Sequence, residues 1–393
     1  MDGNRILISG GGIAGLTLAI ELKRHGFEPV VIEREPALRT EGYMMDFFGT
    51  GWDVAERIGL LDRLRAIKYP IDALNFLDGR GRVYLDVPIS RLRHALDNRY
   101  TYLRRQDLER ALNDRACEMG VEIRFGAELH SLAEQSDGVR ATFVGGRSED
   151  FSLIVGADGV HSRVRALIFG PERQFARFLG LYVAAFHLAQ DGYTLNRTCK
   201  MFEDADRSMF LYPLDDALMD ATCMFRHDER NYAMARNLPF LRAQYRGAAS
   251  IARDVLDRFN GDAPLYFDSA TQIVMTEWHR GRVALVGDAC GCLTLLAGQG
   301  SHMAMAGAYV LAQELKRHDD HTRAFTSYQA FLKPHVDKRQ RDATLFSKYF
   351  VPSKDSWPWL RHMTMALIFS ALGLRLMMSF AGSRSVLAGQ YQH

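Results

Sequence analysis

The first fifteen residues hold the pattern that most restricts the fold of this chain. Arg5–Ser9 (RILIS) is a short apolar run typical of a buried strand, and it leads directly into Gly10-x-Gly12-x-x-Gly15. Residues 13–25 have the apolar spacing of a buried helix, and residues 28–33 (EPVVIE) indicate a second strand. Glycines at these positions allow a tight turn and let backbone N–H groups approach a pyrophosphate. The sequence therefore predicts a βαβ unit that binds a dinucleotide.

Three further features support a nucleotide-binding domain. Glu33 closes the second strand, where an acidic side chain can bind a ribose hydroxyl. Gly156-Ala157-Asp158-Gly159 follows a predicted strand, and Gly287-Asp288-Ala289 precedes Gly298-Gln299-Gly300 at the start of a helix. Each pattern alone could mark an ordinary turn. All three in this order and spacing indicate one nucleotide-binding domain made from two separate pieces of the chain.

Composition and charge exclude several classes of protein. The 393 residues are 47% hydrophobic and 24% charged, as in a globular protein of two or three domains. The net charge of +2 gives no strong attraction to nucleic acid or anionic lipid. Five cysteines form no disulfide framework, so we expect a cytoplasmic protein. The apolar stretch Met363–Leu374 is too short to cross a bilayer, and we expect no transmembrane span and a monomer or weak dimer.

The pattern of elements predicts an α/β fold with an inserted sheet. We expect helices over 53–68 and 106–119, and then a β-meander from strands at 121–125, 128–134, 138–144 and 150–155. Residues 177–275 alternate aromatic-rich apolar runs with polar turns, which indicates a second, mostly antiparallel sheet. The predicted divisions are a Rossmann-type domain (1–175 and 276–320), a substrate-binding sheet domain (176–275) and a C-terminal helical region (321–393, with a helix kinked at Pro334).

These motifs resemble those of the FAD-dependent class A aromatic hydroxylases of the p-hydroxybenzoate hydroxylase fold. The resemblance covers residues 4–350 and is strongest to tetracycline-inactivating flavin monooxygenases and polyketide hydroxylases, because of Tyr266–Gly287 and the tail beyond residue 350. It implies an oxidoreductase that uses NAD(P)H and O2 to hydroxylate an aromatic or polyketide-like substrate through a flavin C4a-hydroperoxide. FAD would be the bound cofactor and NAD(P)H a transient reductant.

The resemblance also assigns roles to particular residues. Arg105 in R-x-D-L would contact FAD near its pyrophosphate or ribityl chain, Asp158-Gly159 would contact FAD and NAD(P)H, and Asp288 would bind the ribityl chain. The full set of implied cofactor-binding residues is Gly10, Gly12, Ile13, Ala14, Gly15, Glu33, Arg34, Arg105, Asp158, Gly159, Asp288, Leu296, Gly298, Gln299, Gly300 and Ser301. A helix N-terminus at Gly300–His302 would stabilise the negative charge of reduced flavin.

Candidate substrate residues come from the aromatic second sheet and from the segment after Gly42. They are Met45, Phe202, Phe210, Tyr212, Met224 and Arg226. Taken singly, Phe202, Phe210, Tyr212 and Met224 each fit an ordinary core residue better than a pocket residue. His187 and Arg226 could both be satisfied polar residues of the sheet. The thirteen histidines show no metal-binding spacing, and we expect neither a metal nor a catalytic amino-acid side chain, because the flavin drives the reaction.

Leu295 stands where the family usually has a flavin-facing proline, and no histidine follows Ala289. This departure and the apolar tail keep two alternatives open: a flavin-dependent reductase or dehydrogenase on the same scaffold, and a non-redox protein that retains FAD or the empty fold. The segment 357–380 is predicted as a helix that is apolar on nearly every side. We expect it to dock between the two domains, near the mouth of the substrate pocket.

Overall fold

The structure is a computed structural model that describes residues 4–40, 42–67, 69, 71–191, 195–227, 237–248, 250–261, 263–294, 298–352, 357–370, 372–374, 385–389 and 391. It has an α/β fold with several sheets, as the sequence predicts. The helices are α1 (Ile13–Arg24), α2 (Gly49–Arg57), α3 (Leu61–Ala66), α4 (Ile89–Ala95), α5 (Arg105–Glu118), α6 (Arg163–Ile168), α7 (Leu238–Gln244), α8 (Ser250–Arg258), α9 (Asp288–Gly291), α10 (Gly300–Arg317), α11 (His321–Phe350) and α12 (Pro358–Ile368), with a 3-10 turn at Glu172–Gln174.

The strands follow the same chain order. They are β1 (Arg5–Ser9), β2 (Glu28–Glu33), β3 (Met44–Phe48), β4 (Ala73–Leu77), β5 (Val83–Pro88), β6 (Tyr100–Arg104), β7 (Glu122–Phe125), β8 (Leu129–Glu134), β9 (Val139–Phe143), β10 (Ser148–Phe151), β11 (Leu153–Gly156), β12 (Ala176–Ala189), β13 (Thr198–Asp204), β14 (Arg207–Pro213), β15 (Leu218–Arg226), β16 (Tyr266–Ile273), β17 (His279–Arg280) and β18 (Val283–Leu285).

The nucleotide-binding region is built on a six-stranded sheet in the order β17-β18-β11-β1-β2-β7. Five of the strands are parallel and only β17 is antiparallel. Helices α1 and α10 pack together over this sheet, and their apolar residues, with those of the strands, form the largest buried core. Buried parallel strands of this kind have continuous apolar sequences, which is why RILIS predicts a strand.

The second sheet has seven strands in the order β16-β12-β15-β14-β13-β4-β5. It is larger than the sheet predicted for 176–275, because it includes β4 and β5 from residues 73–88, where the sequence analysis predicts no strand. Strand β4 pairs in parallel with β13, Ala73 lying opposite Thr198. This pairing shows that residues from the predicted domain 1–175 contribute to the second sheet. The predicted domain limits remain predictions: 1–175 with 276–320, 176–275, and 321–393.

Two local predictions need correction. The predicted helix over 53–68 is two helices, α2 and α3, separated by Gly59, whose φ of +71° ends the first helix. Only the middle part of the predicted meander is present as such: β8, β9 and β10 form a separate three-stranded sheet. Strands β7 and β11, at the two ends of the predicted meander, instead join the six-stranded sheet, where β7 pairs with β2 and β11 with β1.

The C-terminal region contacts both sheets. Helix α11 continues through Pro334, and α12 lies against β5, where Arg361 forms an ion pair with Glu203. Further along, Leu387 and Tyr391 are buried in the core of the nucleotide-binding region. The described part of α12 ends at Ile368, so the portion of the predicted helix at 371 and 375–380 lies outside the described residues. Among the helices that the structure describes, none has the length and apolarity needed to span a membrane.

Candidate functional site

The three glycine-bearing motifs meet at one edge of the six-stranded sheet. They follow β1, β11 and β18, which are adjacent parallel strands, so their carboxyl ends lie side by side. Ser9 is in register with Gly156, and Gly156 with Leu285. Strand β2 places Glu33 at the same edge. In open α/β sheets the crevice beyond the carboxyl ends of the strands is where nucleotides bind, and we refer to this crevice as the nucleotide groove.

Glycine occurs at the three positions of the first motif for different structural reasons. Gly10 has a φ of +116°, and a Cβ there would lie 2.4 Å from the carbonyl oxygen of Ala157. A Cβ on Gly15 would lie 1.9 Å from the Gly10 carbonyl oxygen. Gly12 is different, because its nearest neighbour would be a Glu109 oxygen at 3.7 Å. Gly10 and Gly15 are therefore required by the protein itself, whereas Gly12 leaves a space that a ligand can approach.

The start of α1 presents main-chain N–H groups to this space. Gly12 caps α1 and has no side chain that could accept from the first turn, where Ile13, Ala14 and Gly15 lie. The first N–H groups of an α-helix lack acceptors within the helix, and the positive end of the helix dipole favours an anion. This geometry fits a pyrophosphate, the anionic centre of the predicted cofactor.

Glu33 is held at the rim of the groove by two main-chain donors. Its carboxylate accepts hydrogen bonds from the Gly11 N–H at 2.8 Å and from the Glu35 N–H at 3.0 Å. Arg34 beside it is exposed and lies 3.5 Å from Glu35. The structure thus brings Glu33 next to the glycine turn, as binding of a ribose hydroxyl requires. Arg34 lies at the outer edge of the groove.

Asp158 organises the second motif. Its carboxylate accepts hydrogen bonds from the Ser162 hydroxyl and, at 3.0 Å, from the Val164 N–H, while Gly159 takes a φ of +77°. Ser162 in turn caps α6 by accepting from the Arg165 N–H at 2.9 Å. Burial raises the pKa of Asp158, and these hydrogen bonds oppose the shift. The acid fixes the conformation of the loop that forms the floor of the groove.

Asp288 and Arg105 are buried close enough for their charges to interact. Arg105 begins α5 and forms an ion pair with Glu109 at 2.9 Å, and the Glu109 carboxylate raises the pKa of Arg105. Burial raises the pKa of Asp288, whereas the positive charge of Arg105 acts in the opposite direction. Gly287 precedes Asp288 at the point where α1 and α10 meet, and a Cβ there would lie 2.9 Å from Cβ of Ala14. Gly287 of the third motif therefore packs directly against the first turn of α1, where the predicted anion site lies.

The loop before α10 supplies the last predicted cofactor residues. Gly298 has a φ of +59°, Gln299 caps α10, and Gly300 and Ser301 form its first turn. The side-chain oxygen of Gln299 accepts a hydrogen bond from Nε of Arg339 at 2.8 Å. Leu295 and Leu296 lie outside the described residues. The helix start predicted at Gly300–His302 is present, and α11 holds it in place.

His302 is an anchor of this helix start that the sequence did not single out as a separate site residue. Its buried ring packs beside Phe47 and Phe48, and its Nε2 lies 3.4 Å from the Phe48 N–H, which donates to it. Burial lowers the pKa of His302 to about 4, and the charge of Arg339 acts in the same direction. A neutral imidazole therefore ties α10 to β3. A buried histidine carries no sequence signal that separates this role from ordinary packing.

One face of the seven-stranded sheet carries the candidate substrate wall. Residues directly opposite on paired strands share a face, and Phe210 pairs with Thr222 while Tyr212 pairs with Asp220. Met224 lies further along the same face of β15. This face packs against β3, β6 and α12, whose contributions include Met44, Tyr100, Tyr102, Met365 and Phe369. Three predicted substrate residues, Phe210, Tyr212 and Met224, are thus brought together beside the segment that follows the nucleotide groove.

Two of the predicted substrate residues lie elsewhere. Phe202 is opposite Met209 and belongs to the other face of the sheet, in the core that includes Tyr182 and Phe225. Met45 packs into the nucleotide-binding core, while its neighbour Met44 faces the substrate wall. Side chains alternate across a strand, and the sequence alone did not fix which set faces the wall. The wall proposed below therefore contains Met44 and omits Phe202 and Met45.

The polar residues of this region have identifiable partners. Arg226 sits at the end of β15, where it donates to the carbonyl oxygen of Val351 at 2.6 Å and lies 3.7 Å from Asp206. His187 lies 3.2 Å from the buried Asp220. Asp46 accepts a hydrogen bond from the Tyr100 hydroxyl, and burial raises the pKa of Asp46. Arg226 has the contacts of a sheet-edge residue, whereas Asp46 and Asp220 place acidic groups along the wall.

Comparisons with known proteins agree with this geometry. Residues 4–330 match the sequence family described as "FAD binding domain". A flavin-dependent monooxygenase from an unknown prokaryotic organism is 32% identical over 368 residues, which cover 89% of this chain and 91% of the relative. A flavin-dependent monooxygenase from Legionella longbeachae serogroup 1 is 31% identical over 361 residues, which cover 88% and 90%.

The overall structure is also similar to a solved one. The crystal structure of the tetracycline destructase Tet(55) superposes with a TM-score of 0.83 at 27% sequence identity, covering 98% of this chain and 99% of the other. The agreement extends over both sheets and the C-terminal region, so the inserted sheet and the tail belong to the shared architecture.

Proposed function

This chain belongs to the FAD binding domain family, and on that premise we propose that it hydroxylates an aromatic or polyketide-like small molecule, with NAD(P)H as reductant. It is an FAD-dependent monooxygenase, and its relatives include proteins named flavin-dependent monooxygenases. The observation that carries the proposal is the convergence of Gly12, Glu33, Asp158 and Asp288 at one sheet edge, next to an aromatic wall on the second sheet. The nucleotide groove and the wall adjoin through β3.

The groove fits the chemistry of FAD. The free N–H groups at the start of α1 and the Arg105 side chain would hold the pyrophosphate, and Glu33 would hold the adenosine ribose. Asp288 would accept hydrogen bonds from the ribityl hydroxyls. The bound flavin supplies the redox and oxygen chemistry of the reaction. The N-terminus of α10, which begins at Gly300, contributes a positive dipole end that stabilises negative charge at the ring.

The wall suits a planar substrate with hydrogen-bonding groups. Phe210 and Tyr212 stack nearly parallel with centroids 5.9 Å apart, and Tyr102 lies 6.2 Å from Tyr212. Such a surface accommodates aromatic rings, and the tyrosine hydroxyls and Asp46 offer polar contacts at its margin. Burial raises the pKa of Tyr212 well above its ordinary value, so the hydroxyl stays protonated and can donate to a substrate oxygen.

The proposal also covers the reductant, the cellular location and the oligomeric state. NAD(P)H would bind transiently, since the sequence has one G-x-G-x-x-G motif and we assign it to FAD. All five cysteines are free thiols, which supports a reducing, cytoplasmic location. A monomer or weak dimer is the proposed assembly. The names of the relatives favour a monooxygenase over the alternative of a flavin-dependent reductase.

The deciding experiment measures whether an oxygen atom from O2 enters the product. The FAD-loaded protein is mixed with NADH or NADPH, oxygen-18 gas and a panel of phenols and polyketides. The expected result is a product that gains one labelled oxygen atom, together with substrate-stimulated NAD(P)H oxidation. A product that gains hydrogen and no labelled oxygen would establish the reductase instead.

A matched pair of variants tests the substrate wall. Tyr212→Phe removes a hydroxyl on the wall, and Tyr182→Phe removes one from the opposite face of the same sheet. We expect KM for the hydroxylated substrate to rise about three- to tenfold in the first variant, from loss of one hydrogen bond, and to stay unchanged in the second. Equal KM values in both would place the substrate elsewhere.

A further inference from the structure

The loop between α9 and α10 contains a strained residue. Thr294 has a φ of +99°, in the region that glycine occupies readily and that a β-branched residue almost never adopts. Its side chain is 3% exposed. A conformation of this kind is unfavourable and persists only where its surroundings enforce it, and such residues cluster at functional sites.

Thr294 also carries an unmet hydrogen-bonding requirement. Its hydroxyl oxygen is buried, and none of the residues that the structure describes offers it a hydrogen-bond partner. An unsatisfied buried hydroxyl is unfavourable, and a valine of the same shape would avoid that cost. Strain and an unpartnered hydroxyl at one residue are two separate observations. Both count against a purely architectural role.

Helix α11 contacts the described residues just before Thr294 and those at the start of α10. The side-chain amide of Gln340 donates to the carbonyl oxygens of Cys292 at 2.9 Å and Ile273 at 2.7 Å. Gln272 donates to the carbonyl oxygens of Leu293 at 3.2 Å and Gln340 at 2.8 Å. At the far end Arg339, the residue before Gln340, donates to Gln299. Buried side chains thus hold the backbone immediately before Thr294, and Arg339 holds the side chain of Gln299 at the start of α10.

The position of the loop points to the ligand. It connects Asp288, at the carboxyl end of β18, with Gly298–Gly300 at the start of α10, and both of these lie in the nucleotide groove. We propose that Thr294 is a flavin-contacting residue, whose hydroxyl makes its missing hydrogen bond to the polar edge of the isoalloxazine ring of bound FAD. This inference rests on the proposed function, since it requires that the groove hold FAD.

The test separates hydroxyl, shape and backbone strain with three variants. Thr294→Val keeps the shape and removes the hydroxyl, Thr294→Ser keeps the hydroxyl, and Thr294→Gly removes both the hydroxyl and the strain. The FAD dissociation constant is measured by titrating each apoprotein, and the flavin midpoint potential and the thermal midpoint of the apoprotein are recorded alongside. These readouts do not depend on turnover.

The expected pattern is specific to a flavin contact. Thr294→Val and Thr294→Gly leave the apoprotein at least as stable as the parent but raise the FAD dissociation constant about tenfold and shift the midpoint potential. Thr294→Ser keeps both values near those of the parent. If the valine protein does not fold, the glycine and serine proteins give the same comparison.

Three outcomes would each overturn a different part of this account. Parent-like FAD affinity and potential in both hydroxyl-free variants would show that Thr294 does not contact the flavin, while leaving the proposed function intact. Failure of the parent protein to bind FAD would contradict the proposed function itself. If Thr294→Val lowers the unfolding free energy of the apoprotein by as much as it lowers the free energy of FAD binding, Thr294 has an architectural role.

Discussion

The guanidinium of Arg165 donates a hydrogen bond of 2.9 Å to the main-chain carbonyl oxygen of Ala289, which lies 124 residues further along the chain. The same guanidinium donates to the Val160 carbonyl oxygen at 2.5 Å. Arg165 is fully buried, and its contacts join the loop after β11 to the short helix after β18. One side chain therefore connects the second and third motifs of the nucleotide groove.

Arg165→Met should destabilise the protein by about 2–4 kcal/mol, because it leaves two buried carbonyl oxygens without a donor. Urea unfolding of the apoprotein measures the change. Arg173→Met, in the exposed turn after α6, is the matched control, and we expect it to change the unfolding free energy by less than about 0.5 kcal/mol. Equal effects of the two substitutions would show that the Arg165 contacts contribute no stability.

The glycines of the first motif should separate into two classes. Gly15→Ala places a methyl group 1.9 Å from the Gly10 carbonyl oxygen and should cost about 3 kcal/mol or more in apoprotein stability. Gly12→Ala meets nothing closer than 3.7 Å, so its apoprotein should stay within about 1 kcal/mol of the parent. Its methyl group nevertheless intrudes where the pyrophosphate approaches.

FAD titration completes that comparison. The Gly12→Ala apoprotein should bind FAD at least tenfold more weakly, a difference of about 1.4 kcal/mol. Thermal unfolding without FAD is the accompanying measurement. Undiminished FAD affinity in a folded Gly12→Ala protein would mean that the cofactor does not approach the turn at this residue.

Stability should fall in mild acid because of His302. Its pKa is lowered to about 4 in the folded protein, against an ordinary value of 6.5, so the unfolded chain binds the proton more tightly. The resulting loss begins as pH falls below about 7 and reaches about 2 kcal/mol at pH 5. In His302→Gln the difference in unfolding free energy between pH 7.5 and pH 5 should shrink by about that amount. An unchanged difference would indicate that the folded protein binds a proton at His302 as readily as the unfolded chain does, so that its pKa is not lowered by folding.

Removal of the tail should affect substrate more than cofactor. Truncation after Pro352 deletes Arg361, whose ion pair with Glu203 holds α12 on the second sheet, and Tyr391, which packs in the first core. The groove residues all precede the cut, so FAD should remain bound. We expect increased binding of an apolar dye and an altered KM for the hydroxylated substrate. A truncated protein with parental dye binding and KM would show that the tail has no part in the pocket.

The sequence by itself determined the nucleotide groove. Gly10, Gly12 and Gly15 follow an apolar run and precede a helical pattern, so the local signals are complete within about fifteen residues. The later Asp158 and Asp288 motifs are equally local, and strand–turn–helix chemistry gives each a recognisable pattern. The family and its FAD chemistry could be inferred from these patterns before any coordinates.

Only the tertiary structure decided which side chains share a surface. The separation of Phe210 from Phe202, and of Met44 from Met45, depends on which face of each strand packs against the neighbouring elements, and a shift of one residue exchanges the two faces. The hydrogen bonds of the Gln340 and Arg165 side chains to backbone carbonyl oxygens join positions that are 48 and 124 residues apart in the chain. A backbone carbonyl as acceptor leaves no trace in the sequence, because every residue has one, so such contacts are specified by packing alone.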